Sequence, residues 1–196
     1  MKCCCKAPLK ELCIQKTRVK LCSKCGLLTK IERISFEEER NRYDEHQCDE
    51  GYQSYMENVY NRIKGYLKEG ISLDYGCGQI HLLADYLNKN HFSCDYYDLH
   101  YFPLYPKRTY DTILLIEVFE HLYEPYQELI RLRGLLNESG RIIIITKTYD
   151  DVDLENWWYF RDKTHISFLK KNTFSFWNIG MKIIAYNEDI FVLERI

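Results

Sequence analysis

Leu73-Asp74-Tyr75-Gly76-Cys77-Gly78-Gln79-Ile80 is the stretch from which the fold of this chain is read. The short apolar run Ile71–Tyr75 ends in a glycine pair. Ile80, Leu83, Ala84 and Leu87 then follow at helical spacing, so a buried strand turns through glycine into a helix. Glycine lets a backbone approach a ligand closely, and the start of a helix offers N–H groups without intrahelical partners. About 20 residues past Gly78 a second strand, Phe92–Leu99, ends at Asp98, where an acid can bind ribose hydroxyls. The third glycine of the dinucleotide fingerprint is absent, with His81 in its place. That departure speaks against a pyrophosphate-bearing cofactor and so against a nicotinamide oxidoreductase.

Downstream, Tyr110–Ile116 and Arg141–Thr148 read as further strands, separated by a helix from Pro125 to Leu136 that Asn137–Gly140 stops. A short helix over Lys170–Trp177 and a closing antiparallel hairpin, Lys182–Tyr186 with Ile190–Arg195, complete the pattern. Upstream, Tyr52, Tyr55, Met56, Val59, Tyr60, Ile63, Tyr66 and Leu67 mark one face of a helix capped by Asp49 and stopped by Gly70. Strands alternating with helices predict an α/β domain whose ligand lies at the carboxyl ends of the strands. The expected division is a Cys-rich element over 1–34, a connector and amphipathic helix over 35–69, and the α/β domain over 70–196.

The start MKCCCKAPLK lacks the apolar stretch of a secretory signal. No run approaches the roughly 20 apolar residues of a membrane span, so a cytoplasmic protein without membrane contact is expected. Net charge is −2, yet residues 1–30 hold Lys2, Lys6, Lys10, Lys16, Arg18, Lys20, Lys24 and Lys30 against Glu11 alone. Such an arm can keep a small element soluble, or it can contact nucleic acid or another polyanion.

The ordered set LDYGCG, the acid Asp98, YDTILLIEVFEHL and GRIIIITKTY resembles the class I S-adenosylmethionine-dependent methyltransferases. The resemblance runs from about Ile71 to Ile196. It implies a Rossmann-like, mainly parallel sheet with a C-terminal antiparallel hairpin. It also implies Gly76, Cys77 and Gly78 beneath the amino-acid portion of S-adenosylmethionine, Asp98 on the ribose, Asp74 organising the glycine loop, and Glu117 near the cofactor. The eleven residues between Asp98 and Tyr110 are too few for the family's second helix and third strand, so that region should be trimmed.

Six of the nine cysteines fall within the first 25 residues, and without a secretion signal they suggest thiols or a metal site rather than disulfides. Cys22-Ser23-Lys24-Cys25-Gly26 is a good zinc knuckle. The N-terminus resembles methyltransferases that begin with a zinc ribbon, which implies a structural zinc on Cys22 and Cys25 with Cys5 and Cys13, or with Cys3. A relic ribbon without metal is the alternative. The connector RYDEHQCDEGYQSYM resembles the link of that subgroup and would place Tyr43, His46 or Tyr52 near the cofactor mouth.

Glu117-Val118-Phe119-Glu120-His121 lies where a strand ends. With His165 it resembles segments that hold Mg²⁺ or another divalent ion in some O-methyltransferases, although many relatives carry it without metal. The run Trp157-Trp158-Tyr159-Phe160 should wall the acceptor pocket, and His165, then His121, are the candidate general bases. The expected activity is methyl transfer to an oxygen or nitrogen of a small molecule. The competing reading is a degenerate methyltransferase that binds cofactor, and recruits RNA or protein through its basic ribbon.

Overall fold

The computed structural model describes residues 2–45 and 49–196. His46 and Cys48 therefore lie outside the described residues. In chain order the elements are β1 (Leu9–Ile14), β2 (Thr17–Cys22), β3 (Leu28–Lys30), α1 (Phe36–Asp44), α2 (Glu50–Ile63), β4 (Ile71–Tyr75), α3 (Leu82–Lys89) and β5 (Ser93–Tyr97). They continue with β6 (Tyr110–Ile116), α4 (Pro125–Gly134), β7 (Leu136–Ile145), α5 (Trp158–Arg161), β8 (Ser167–Phe168), β9 (Met181–Asn187) and β10 (Ile190–Arg195).

The main sheet has the order β5-β4-β6-β7-β10-β9. Its first four strands are parallel, and β10 and β9 add antiparallel. Side chains alternate across it, as a period of two requires. Leu73, Tyr75, Ile113, Leu115, Ile142 and Ile144 pack on Leu129 and Leu132 of α4, together with Trp177. Leu114, Ile116, Ile143 and Ile145 pack on Met56, Val59 and Ile63 of α2 and on Leu83, Ala84 and Leu87 of α3. Burial on both faces explains why these strands are continuous apolar runs rather than alternating ones.

Several boundaries differ from the sequence reading, each for a local reason. α2 is capped by Asp49, which accepts the Tyr52 N–H at 2.9 Å. It ends at Ile63 rather than near Gly70, because the chain must turn into β4. Lys64–Tyr66 tightens into a 3₁₀ turn, and the Lys68 N–H goes to the Thr112 hydroxyl at 3.0 Å instead of a helix carbonyl. α4 stops at Gly134, since Leu136 already pairs with Tyr110 and Asn137–Gly140 is the irregular start of β7. The helix expected over Lys170–Trp177 is a 3₁₀ turn at Thr173–Phe176.

Residues 99–109 contain neither helix nor strand, so the sheet is trimmed as expected and β5 becomes an edge. An open edge invites pairing with another chain. Here Asn88 covers it, donating its amide to the Cys94 carbonyl (2.9 Å) and accepting the Cys94 N–H (3.0 Å) as a neighbouring strand would. Just past the end of β5, Asp98 and Phe102 form an isolated antiparallel bridge.

The N-terminal strands form a second sheet of order β1-β2-β3-β8. Its last strand comes from the far end of the chain, with Leu28 opposite Phe168 and Thr29 opposite Ser167. Ile14, Val19 and Leu28 of this sheet pack with Tyr149, Tyr159, Phe160 and Phe168 in a third core. Among the described residues no helix is long and apolar enough to cross a membrane.

Candidate active site

The strand register brings three loops to one level. Tyr75 pairs with Tyr97, and Asp74 pairs with Leu114, so Gly76, Asp98 and Glu117 all emerge within about one residue of the same sheet edge. The N–H groups of Gly76 and Cys77 both donate to the Tyr97 carbonyl, at 2.8 and 3.1 Å. Gly76 has φ +83°, and a Cβ there would stand 2.5 Å from Val118 Cγ2. Gly78 has φ +70° and open space where a Cβ would lie. Its N–H donates to Asp98 Oδ2 at 3.0 Å, while Asp98 Oδ1 accepts the N–H groups of His100 and Tyr101 at 2.8 and 3.2 Å. Asp74 is 3% exposed. Burial pushes its carboxyl up to about 7, with the Ala84 N–H at the start of α3 acting against that shift and the Asp98 charge adding to it.

A cavity of about 800 Å³ opens at this edge. Gly76, Gly78, Asp98 and Glu117 line it, as do His121, Trp158, Tyr159 and His165. Asp74 and Cys77 instead border a small void under α2 and α3. Of the four rings at 157–160, Trp158 stands 63% exposed at the cavity and Tyr159 faces it. Trp157, Tyr159 and Phe160 all pack into the third core, Tyr159 reaching the cavity as well, so only Trp158 of the expected aromatic wall stands clear of that core.

α1 crosses this opening. Ser35 and Glu38 cap it reciprocally, which fixes where it starts. The Gln79 amide donates to the Tyr43 carbonyl at 3.0 Å, and the Tyr101 hydroxyl donates to Asp44 at 2.7 Å. The Tyr43 hydroxyl donates to Glu39 and lies 3.0 Å from His121 Nδ1. The loops after β4, β5 and β6 are thus all fastened to one helix, and both Tyr43 and Tyr52 line the cavity.

Glu120 is 1% exposed, and burial raises its carboxyl. Its oxygens accept the hydroxyls of Tyr159 (2.5 Å) and Thr146 (2.9 Å). Glu117, at φ +52°, has long contacts to the Tyr55 and Tyr159 hydroxyls, at 3.4 and 3.5 Å, and shares a carboxyl–carboxyl hydrogen bond with Glu120. Burial and the neighbouring Glu120 push it up to about 8. His121 Nδ1 lies 3.1 Å from the Thr164 carbonyl, and His165 Nδ1 lies 2.8 Å from the Tyr159 carbonyl. A carbonyl only accepts, so both Nδ1 atoms carry the proton and the lone pair of each neutral ring is on Nε2. Burial and the nearby His121 hold the His165 imidazole down to about 4, which keeps it neutral at pH 7. Ligand-type atoms of Glu120, His121 and His165 lie within 4.8 Å of one another, and Glu117 is not part of that group.

The family described as "Methyltransferase domain" matches residues 43–178. The chain belongs to that family. It is an S-adenosylmethionine-dependent methyltransferase. Its fold is similar to that of a Pyrococcus horikoshii OT3 protein, with a TM-score of 0.51 and 16% identity, covering 76% of this chain and 93% of that one. An O-methyltransferase family protein from Burkholderia thailandensis gives 0.54 at 10% identity, covering 80% of this chain and 61% of that one. An O-methyltransferase family 2 protein from Planctomyces limnophilus DSM 3776, in complex with apigenin, gives 0.50 at 11% identity, covering 72% and 62%. No curated protein matches the chain.

A second cluster precedes the methyltransferase domain. The sulfurs of Cys3, Cys5, Cys22 and Cys25 lie within 4.8 Å of one another. Cys3 is 3.5 Å from Cys25, and Cys5 is 3.3 Å from Cys22. Cys13, expected among the ligands, is exposed and stands apart. Leu9 is the β1 residue opposite Cys22. Cys13, four residues further on, is about 13 Å along the strand at roughly 3.3 Å per residue. Cys3 takes the place expected for Cys13.

The glycine geometry gives a direct check. Gly78→Ala is expected to cost about 1 kcal/mol, the left-handed backbone penalty alone. Gly76→Ala should cost about 2–4 kcal/mol, because the overlap with Val118 adds to that penalty. Adding Val118→Ala to Gly76→Ala should recover part of the loss in urea unfolding. Equal costs at the two glycines would contradict the tight turn.

Proposed function

We propose that this methyltransferase acts on an oxygen or nitrogen nucleophile of a small molecule held between α5 and the loop after β6. One observation carries the reading: a single cavity of about 800 Å³ joins the glycine loop and Asp98 to Trp158 and His165. That is the upper range for small-molecule sites, enough for a cofactor and an acceptor side by side. The cofactor fits the residues present, since open space at Gly78 and a buried acid at the end of β5 are what its amino-acid and ribose portions require. Gly76, Cys77 and Gly78 would lie under the amino-acid portion and Asp98 on the ribose hydroxyls. Glu117 would supply negative charge near the amino group and the sulfonium, and Asp74, buried beneath the glycine loop, would act through that loop. When bound, the cofactor supplies an electrophilic methyl carbon.

The remaining chemistry belongs to this chain. Trp158 and Tyr159 orient the acceptor, and α1 excludes water from above. His165, neutral and with its Nε2 lone pair available, takes the acceptor proton, and His121 is the second candidate. A specific observation supports another use of the same groups. Each imidazole gives its Nδ1 proton to a backbone carbonyl, the arrangement that orients metal-bound histidines. Glu120, His121 and His165 therefore fit a divalent cation such as Mg²⁺ or a transition metal, which would polarise an oxygen nucleophile. In the N-terminal sheet, Cys3, Cys5, Cys22 and Cys25 fit one structural zinc.

S-adenosylmethionine should bind with a dissociation constant of about 1 μM, near −8 kcal/mol, and Asp98→Ala should lose about 1.5–3 kcal/mol of that. Asp74, raised to about 7, and Glu117, raised to about 8, are partly protonated at pH 7.5. A cationic ligand beside Glu117 favours its carboxylate, so binding should release protons between pH 7 and 8. Calorimetry in buffers of different ionisation enthalpy measures this, and proton uptake would refute the placement.

Metal analysis of protein purified without chelator should find about one zinc per chain, lost in Cys22→Ser and kept in Cys13→Ser. Loss in Cys13→Ser, or zinc-free protein with an ordered N-terminus, would overturn that assignment.

A further inference from the structure

The segment 150–168 carries both Trp158 and His165. The loop after β6 holds it through the Tyr159 hydroxyl and the Ile166 N–H on Glu120 and the Ser167 hydroxyl on Leu122. The Cys-rich sheet holds it through the β3–β8 pairing and two side-chain fastenings. The first fastening is the tip of the β1–β2 hairpin. The Gln15 backbone N–H donates to Glu155 Oε2 at 3.1 Å, and the Gln15 side-chain amide donates to the carbonyls of Leu154 (2.5 Å) and Trp157 (3.2 Å). The second is Lys30, the last residue of β3. Its side chain is buried, the residue being 7% exposed, and its Nζ donates to the Asp162 carbonyl at 2.7 Å. The same ammonium lies 4.8 Å from the Phe160 ring centroid and 5.5 Å from that of Phe168. Its backbone N–H donates to the Ile166 carbonyl at 2.9 Å.

A buried ammonium carries a desolvation cost, and burial holds this one down to about 8. Aromatic faces and a carbonyl acceptor offset that cost only while Phe160, Asp162 and Phe168 stay in place. Between the two fastenings lie α5 and the backbone carbonyls that orient the histidines. The Tyr159 carbonyl takes the His165 Nδ1 proton, and the Thr164 carbonyl takes that of His121. A displaced 157–165 backbone would therefore turn both imidazoles. The glycine loop and Asp98 have no hydrogen bond to Gln15 or Lys30 among those described.

We propose that Gln15 and Lys30 are positioning residues for the acceptor side of the site, setting the orientation of Trp158 and His165 from the Cys-rich sheet without contributing to cofactor binding. The proposal rests on the methyl-transfer reading, and it gives the N-terminal sheet a role in acceptor recognition. Gln15 acts through segment 154–166; Lys30 acts through the same segment and through its charge, which helps keep the nearby His165 imidazole neutral.

The test uses the full chain and its Lys30→Met, Gln15→Ala and Lys30→Arg variants. Amide hydrogen exchange over 157–166 should rise about tenfold in Lys30→Met, the scale of one lost charge-assisted bond. The rise should be smaller in Gln15→Ala. Histidine-ring NMR should show the Nδ1–H form of His165 in the parent chain. That signature should broaden or shift in Lys30→Met while His81 and His91 stay unchanged, and Lys30→Arg should restore it. S-adenosylhomocysteine affinity should stay within about twofold throughout. Unchanged exchange and an unchanged His165 signal in both Lys30→Met and Gln15→Ala would overturn the proposal, as would a parallel loss of S-adenosylhomocysteine affinity. A parent chain that fails to bind S-adenosylhomocysteine would instead remove the methyl-transfer reading. The exchange and NMR results would still decide whether the two residues hold the loop.

Discussion

The hydrogen bond from the Gly78 N–H to the Asp98 carboxylate joins the loops that follow the paired strands β4 and β5. It exists because β4 lies between β5 and β6 in parallel register, so their carboxyl ends finish level. Asp98 is then shared. It closes its own loop through His100 and Tyr101, holds the glycine turn, and borders the cavity. Val118 fills the space that any side chain at position 76 would need, so the loop after β6 is locked to the same turn. The cavity, and α1 above it, follow from this arrangement.

Charge is unevenly placed around that turn. Glu117 and Glu120 are both raised, chiefly by burial and, for Glu117, by the neighbouring Glu120 carboxylate. Glu120 accepts from two hydroxyls, and Glu117 has a carboxyl–carboxyl hydrogen bond to Glu120 with longer contacts to Tyr55 and Tyr159. A buried carboxyl beside a second one favours binding of a positive group, and a sulfonium or a divalent cation meets that need.

Much of the sheet was legible in the sequence because its strands are buried on both faces. Ile71–Tyr75 and Tyr110–Ile116 match the observed strands, and the C-terminal hairpin is offset by only a residue or so. The glycine pair and Asp98 were legible because their chemistry is local. What escaped notice depends on partners distant in sequence. β8 is two residues long and exists only because β3 lies beside it. The connector was expected at the cofactor mouth, and Tyr43 and Tyr52 do line the cavity, but the Thr146 hydroxyl beneath Glu120 and the choice of Cys3 over Cys13 are likewise set by tertiary register. No local pattern encodes them. The run 157–160 shows the limit of composition: four adjacent rings suggested a wall, yet Trp157, Tyr159 and Phe160 serve a core that the N-terminal sheet creates.

Backbone amide chemical-shift mapping with S-adenosylhomocysteine tests the central claim most directly, because it reports which loops meet the cofactor. The largest shifts should fall at residues 76–80, 98–101 and 117–121, the three loops that the register of β4, β5 and β6 brings to one edge. Residues of β1 and β2 should stay unchanged. Shifts confined to the Cys-rich sheet, or absent from the Gly76–Gly78 turn and Asp98, would contradict the account.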